Sequence, residues 1–289
     1  MILLADSGST KTDWCVIAPG QPARYASGAG INPFFMTEQE MADEVRRTVR
    51  PCLDVRPEAV YFYGAGCTPE KSPVVEAALR QALTELPGTA NSPDTPGMAI
   101  SVCSDMVGAA RALCGHSPGI ACILGTGSNS CYFDGEVITA NVPPLGFILG
   151  DEGSGAVLCK RFVADLLKGQ LPVGLRDDFF ARHRLTMAEI IDRVYRRPLP
   201  NRFLAGFSPY IAEHRSEPAV RRIIVANFHD FFTRNVMQYA WQSVPVHFVG
   251  SIAVAYHEEL LATAAELGIT VGRVLKTPMP GLVAYHSAQ

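Results

Sequence analysis

The sequence lacks several features that would each fix a function class. It has no Cys-x-x-Cys pair, and its eight cysteines (Cys15, Cys52, Cys67, Cys103, Cys114, Cys122, Cys131, Cys159) fall at no zinc-type spacing. Several sit inside apolar, strand-like runs, which fits reduced and mostly buried thiols of a cytoplasmic protein. No apolar run reaches bilayer-spanning length. Met1-Ile2-Leu3-Leu4 passes at once into Ala5-Asp6-Ser7-Gly8, too short for the core of a secretory signal, so a cytoplasmic location is expected. An excess of one charge is also missing, since 25 basic against 28 acidic side chains leave a net charge of only −3. Basic clusters as short as Arg46-Arg47 and Arg221-Arg222 read as solvated helix faces. Neither nucleic acid nor a membrane is therefore an expected partner.

What is present is a folded chain of 289 residues, long enough for one large domain or two ordinary ones. Strand-like and helix-like segments alternate, the pattern of an α/β fold. Strands are expected over 2–6, 12–18, 58–64, 98–103, 119–124, 129–133, 245–249 and 269–275. Helices are expected over 37–53, 70–86, 105–114 and 252–267, with a mainly helical stretch over 152–242. Residues 87–97 read as a loop. In the helical stretch, Phe228, Phe231, Phe232 and Trp241 form an apolar face expected to be core. Near residue 116 the chain starts again with the device that opened it, a strand, a Gly/Ser/Thr turn and a returning strand, which makes a weak internal repeat. No low-complexity linker separates the halves.

The first turn, Asp6-Ser7-Gly8-Ser9-Thr10-Lys11-Thr12-Asp13, places an acid at the end of an apolar strand. Gly8 and Ser9 let backbone N–H groups approach an anion, Thr10 and Lys11 add a hydroxyl and a charge, and Asp6 could hold a hydrated Mg²⁺ beside phosphates. Taken alone it is equally an ordinary polar hairpin. Gly125-Thr126-Gly127-Ser128-Asn129 repeats the device and has neither the P-loop nor the Rossmann spacing. Two matched turns heading two similar domains point to a phosphate cradle. Phe248-Val249-Gly250-Ser251-Ile252-Ala253 is a strand–glycine–helix junction where a flat ring could approach the backbone, although Ser251 is also a plain N-cap candidate.

Asp105 ends the 98–103 strand and opens a helix. It is either an N-cap or a general base for an alcohol nucleophile. Asp151 and Glu152, between Gly150 and Gly153, could cap a helix or accept hydrogen bonds from vicinal sugar hydroxyls. Asn32, before Pro33, is either a turn residue or a donor–acceptor reader of a ligand.

In order and spacing these motifs resemble the BadF/BadG/BcrA/BcrD-type ATPase family, and within it the N-acetylglucosamine kinase branch, over essentially the whole chain. The resemblance implies an actin-like, sugar-kinase/Hsp70 fold: two ribonuclease-H-like domains, 1–115 and 116–277, closing on ATP in an interdomain cleft, with 278–289 able to pack back on the first. It implies that Asp6, Gly8, Ser9, Thr10 and Lys11 form one phosphate turn and Gly125, Thr126 and Gly127 the other, with adenosine against Gly250, Ser251 and Ala255. The sugar would be read by Asn32, Asp105, Ser128, Asn129, Gly146 and Asp151, and Asp105 would take the proton from its 6-hydroxyl. ATP and Mg²⁺ are the implied cofactors, an amino sugar the substrate, and a homodimer is compatible with the family. Val142-Pro143-Pro144-Leu145-Gly146 stands where the kinase pattern is glycine-rich. N-acetylglucosamine leads, while N-acetylmuramic acid and glucosamine stay open as substrates. The broad family also includes reductase-activating ATPases that share an iron–sulfur cluster between subunits, and the cysteines here offer no local ligand pair for one. A sugar sensor on the same fold is the third reading, and the chain carries no helix-turn-helix segment or basic domain to support it.

Overall fold

A computed structural model describes residues 1–8, 10–84, 86 and 97–287. Residues 87–96 of the expected 87–97 loop lie outside them. The chain divides into two compact units, Met1–His116 joined by the segment from Pro278 onwards, and Ser117–Thr277.

In the first unit β1 (Ile2–Ser7), β2 (Lys11–Ile17) and β3 (Arg24–Ala29) form an antiparallel meander. α1 (Glu38–Thr48), β4 (Ala59–Gly64), α2 (Ser72–Thr84), β5 (Ala99–Ser104) and α3 (Asp105–Cys114) follow. The sheet order is β3-β2-β1-β4-β5, with β4 parallel to both β1 and β5. β1 is central, and the strand alternation explains why its run Ile2-Leu3-Leu4-Ala5 is apolar throughout. Leu3 and Ala5 join Met41, Val45, Val75 and Leu79 of α1 and α2, whereas Leu4 joins Ala112 of α3 and Leu282 of the last helix on the opposite face.

α1 starts at a capping box. The Thr37 hydroxyl accepts from the Glu40 N–H, and the Glu40 carboxylate accepts from the Thr37 N–H at 2.7 Å. The helix expected over 37–53 stops at Thr48 and gives way to a 3₁₀ turn at Arg50–Cys52, because Pro51 has no N–H and disfavours α geometry in the residue before it.

The second unit contains β6 (Gly119–Leu124), β7 (Ser128–Phe133), β8 (Ile138–Val142) and a four-residue helix α4 (Gly146–Leu149). α5 (Gly155–Leu167), α6 (Val173–His183), α7 (Met187–Tyr195), α8 (Pro200–Ala205), α9 (Ser208–Glu213) and α10 (Pro218–Arg234) come next. β9 (Val246–Val249), α11 (Ser251–Ala255), α12 (His257–Glu266) and β10 (Val271–Leu275) complete the unit, and α13 (Met279–Ser287) belongs to the first. The sheet order, β8-β7-β6-β9-β10, repeats that of the first unit strand for strand, including which pairs are parallel. The repeat suggested by two glycine turns thus extends to both sheets.

Phe228, Phe231 and Phe232 of α10 are fully buried with Phe248 of β9, and Trp241 packs on the edge of the same cluster. The helix expected over 252–267 is broken at Tyr256, whose backbone leaves the helical region while its hydroxyl is anchored on Ser208. Strands β3 and β8, absent from the sequence reading, are both sheet edges.

Candidate functional site

The first turn is closed by the Gly8 N–H donating to the Lys11 carbonyl at 3.0 Å. Gly8, Thr10 and Lys11 are exposed, and a Cβ on Gly8 would meet nothing nearer than 3.8 Å, so its surface is open to a ligand. Ser9 lies outside the described residues. Lys11 reaches back to Asp13 at 2.7 Å. Below the turn, Ser7 and Thr12 are buried and joined hydroxyl to hydroxyl at 2.7 Å. Ser7 also donates to the Ile31 carbonyl and accepts from the Ile31 N–H, while Thr12 donates to the Ala29 carbonyl. These bonds tie the hairpin to the segment that carries Asn32.

Asn32 is buried, and its Oδ1 accepts from the Phe34 N–H at 2.9 Å, an Asx turn. Gly66, at φ +82°, is packed against it: a Cβ there would lie 2.7 Å from Asn32 Oδ1. Only glycine suits that position on both counts.

Asp6 and Asp105 end neighbouring parts of one sheet, since Asp6 pairs with Tyr63 and Tyr63 with Cys103. Asp6 is pushed up to about 7, chiefly by burial, then by the charges of Asp105 and Asp13, with Lys11 opposing. Burial also raises Asp105, against hydrogen bonds from the backbone. Asp105 is not the N-cap of α3. Ser104 holds that place, its hydroxyl accepting from the Val107 N–H, and Asp105 is the first helical residue, with one oxygen taking the Met106 N–H at 2.9 Å. Its own backbone N–H also donates to the carboxylate. A carboxylate of raised basicity at the carboxyl end of a strand has the attributes of a proton acceptor.

In the second unit the Gly125–Gly127 turn is closed by the Gly125 N–H on the Gly127 carbonyl. It is fastened to the start of α5 by Gly155 N–H on Gly125 O and Ala156 N–H on Thr126 O. Thr126 is exposed, and a Cβ on Gly125 would meet only Gly127 O, at 4.0 Å. Asp151, left-handed at φ 55°, brings its carboxylate against this turn, accepting from the Ser128 N–H at 3.4 Å. It is pushed up to about 6 by burial, with the Ser128 bond opposing, Glu152 adding and Lys160 opposing. Ser128 and Asp151 are both buried. Asn129 Oδ1 accepts from the Ser130 N–H and from Asn141 Nδ2 at 3.0 Å.

Two sequence expectations need correction. Glu152 neither caps α5 nor stands free for a sugar: it is buried and paired with Arg234 at 2.8 Å, and Ser154 is the cap. Ser251 is not an N-cap either. Gly250 occupies that position at φ 130°, Ser251 is the first helical residue, and no side chain caps the turn. A Cβ on Gly250 would lie 2.2 Å from Leu124 O, which makes glycine obligatory for packing there. Ala255 closes α11, and its carbonyl accepts from Arg215.

Gly146 begins α4 at φ +73° with nothing packed on its open side. The proline-bearing loop before it is mechanically joined to Asp151, because Pro144 O accepts the Asp151 N–H at 2.8 Å. Within the first unit, then, Asp6, Asp105 and the Gly8–Lys11 turn cluster, with Asn32 tied in through Ser7 and Gly66. Within the second, the Gly125–Gly127 turn, Ser128 and Asp151 cluster, Asn129 leans toward Asn141, and Gly250–Ala255 occupies the adjoining junction. Ser7, Thr12, Gly66, Ser104 and Asn141 were missed. Ser7 and Thr12 had a signal, as hydroxyls at apolar strand positions, and Gly66 had one as a glycine after a strand. Among the described residues no group of three or more His, Cys, Asp or Glu could hold a metal, and no helix is long and apolar enough to cross a membrane.

A candidate N-acetylglucosamine kinase from Porphyromonas gingivalis has a solved structure that is 51% identical to this chain. The match covers 100% of this chain and 99% of that one, with a TM-score of 0.92. Another candidate N-acetylglucosamine kinase, from Chromobacterium violaceum, shares the fold at 17% identity, 98% coverage of each chain and a TM-score of 0.73. A ROK-family glucokinase from Streptomyces griseus, solved with glucose and AMPPNP, does so at 15% identity, covering 99% of this chain and 98% of that one, with a TM-score of 0.55. No protein-family model and no curated protein matches the chain.

Proposed function

The chain belongs to the N-acetylglucosamine kinase-like family of the actin-like sugar-kinase fold, and from that membership we propose that it transfers the γ-phosphoryl group of ATP to the 6-hydroxyl of an amino sugar, N-acetylglucosamine first among them. The observation that carries this reading is full-length identity of 51% to the P. gingivalis protein, in a chain that sets the carboxylate of Asp105, raised by burial, just beyond the carboxyl end of β5.

Phosphoryl transfer asks the protein for position and charge stabilisation, plus a base for the attacking alcohol. Asp105 accepts the 6-hydroxyl proton, and its burial makes it the stronger base. The Gly8–Lys11 turn and the Gly125–Gly127 turn each offer backbone N–H groups and a hydroxyl to the phosphates, with Ser9 included in the first. Gly250, Ser251 and Ala255 take the adenosine. Asn32, Ser128, Asn129, Gly146 and Asp151 read the sugar. Asp6 lies among like charges that raise its pKa to about 7, and a divalent cation would relieve them; as a hard oxygen donor it suits hydrated Mg²⁺. Held there, Mg²⁺ would supply charge neutralisation for the phosphates.

The reductase-activator alternative needs thiolates offered at a surface shared by two copies. Six of the eight cysteines are buried inside their units, which supports the kinase over it. The deciding experiment measures ADP release with ATP, Mg²⁺ and a panel of glucosamine, N-acetylglucosamine and N-acetylmuramic acid. Sugar-dependent release, highest with N-acetylglucosamine, is expected. Release that no sugar stimulates would defeat the assignment.

A further inference from the structure

Lys160 of α5 is a half-buried cation that the reaction as described leaves unused. Its ammonium donates to the Phe147 carbonyl at 2.5 Å and lies 5.9 Å from the centre of that residue's ring. It thereby fastens α5 to α4, inside the loop Leu145–Gly150 that ends at Asp151.

That loop has little else to hold it. Leu145, Ile148 and Leu149 are 62%, 74% and 70% exposed, and its one side chain packed on the core of the unit is Phe147. A four-residue helix has no stability of its own. The stem is closed by the Asp151 N–H on Pro144 O at 2.8 Å and the Gly150 N–H on Gly146 O at 2.7 Å. It is so tight that a Cβ on Gly150 would lie 2.2 Å from Pro144 O. Leu145 and Asp151, at its two ends, are left-handed at φ 62° and 55°, a conformation that non-glycine residues keep only when the surroundings impose it.

The ammonium also acts on the foot of the loop. Its charge opposes the burial that raises the Asp151 carboxyl. In turn burial and then Arg161 lower Lys160, with Glu152 and Asp151 opposing. Arg161 is held by Asp230, and Glu152 by Arg234 of α10, so Asp151 is the carboxylate left for Lys160 to serve. An ordinary surface lysine lays its stem on the protein and keeps its head in water. Here the head turns to a backbone carbonyl instead.

We propose that Lys160 is a positioning residue for the transfer: its ammonium latches the loop Leu145–Gly150 onto α5 and so holds Asp151 in place to accept hydrogen bonds from the sugar. The inference rests on the kinase reading above and deepens it.

The test measures kcat and KM for N-acetylglucosamine and for ATP in the parent, Lys160→Met, Asp151→Asn and the double variant. Lys160→Met raises KM for the sugar by about tenfold, the scale of one charge-assisted hydrogen bond. Its kcat and its KM for ATP stay within about twofold, which also shows that it folds. Added to Asp151→Asn, the same change raises KM no more than about twofold, because the group it acts through is gone. The acid limb of kcat/KM for the sugar moves to higher pH in Lys160→Met, since the cation opposing protonation of Asp151 is lost while the Glu152–Arg234 and Arg161–Asp230 pairs remain. In the Asp151→Asn background that movement is absent. An unchanged KM, a rise shared equally by ATP, or a tenfold effect that persists without Asp151 overturns the inference and leaves the kinase standing. A parent that phosphorylates no sugar fells both.

Hydrogen exchange tests the latch without turnover. The Gly150 and Asp151 amides close the stem, and in Lys160→Met they are expected to exchange about tenfold faster than in the parent. Unaltered exchange at both amides overturns the latch whatever the kinetics show.

Discussion

Tyr63 and His286 stand 223 residues apart in the chain and 2.8 Å apart in the fold, phenol oxygen to imidazole Nε2. Arg111 donates to the same phenol at 2.9 Å, so the hydroxyl joins α3 to α13. α3 begins at Asp105, and the bond therefore braces the helix that presents the proposed base.

Tyr63→Phe leaves the Arg111 guanidinium and His286 Nε2 without this partner in a buried place, and is expected to cost about 1–3 kcal/mol in urea unfolding. The linkage has a definite sign. Burial, with the Arg111 charge adding, pushes His286 down to about 4 from its ordinary 6.5. Its contribution is whole above about 6.5 and is lost as pH falls toward 4, because the unfolded chain binds the proton first. His286→Gln should therefore be less stable than the parent at pH 8, with the gap narrowing between pH 6.5 and 4. A gap independent of pH would contradict the buried, neutral imidazole.

The glycines of the site separate into two kinds. Gly250→Ala puts a Cβ 2.2 Å from Leu124 O at a positive φ, and is expected to destabilise the protein by more than about 3 kcal/mol. Gly8→Ala and Gly125→Ala meet no protein atom within 3.8 Å. They should change stability by less than about 1 kcal/mol yet weaken ATP binding on the order of tenfold, as a methyl group intrudes on the phosphates. Calorimetric melting with nucleotide titration distinguishes the two kinds.

Asp6 gives the opposite pH sign to His286. Its carboxyl is raised to about 7 from an ordinary 3.8, so the folded state loses stability as pH climbs through that interval. Asp6→Asn should match the parent at pH 4 and exceed it by about 1–2 kcal/mol at pH 8, a figure discounted for its partial exposure. The same variant should need more Mg²⁺ for half-maximal turnover.

Asp105→Asn keeps the size and the Met106 contact while removing the basic oxygen. Turnover should fall on the order of 10²–10⁴-fold, with ATP affinity nearly intact. In the parent, kcat should rise with pH as Asp105 ionises, at a pH above the usual carboxylate range. Near-normal turnover in the variant would remove Asp105 from that role.

The α/β alternation and the central strands were legible because each is an apolar run buried on both faces. β3 was not, since Arg24-Tyr25-Ala26-Ser27-Gly28-Ala29 is an edge strand with no fully buried residue, whose less exposed positions are Arg24, Ala26 and Gly28. β8 has one edge and mostly exposed residues, and with it went the Asn141 bond that orients Asn129. The helical content of 152–242 was readable, but the breaks between six helices depend on tertiary packing. Local chemistry located both glycine turns. It could not distinguish Asp105 from Ser104 as cap, because adjacent residues compete for the same N–H groups and only the backbone decides. Nor could it show that Glu152 is taken by Arg234, a pairing made by α10 far along the chain. The Tyr63–His286 bond is of the same long-range kind.

The return of α13 to the first unit also sets an order of events on the ribosome. The second unit can close once Thr277 has emerged, whereas the face of Leu4, Cys15 and Tyr63 is covered by α3 alone until the residues around Leu282 arrive. The half of the protein that is translated first is thus the last to be completed, and nascent chains stalled before Met279 would present that sticky sheet face to chaperones.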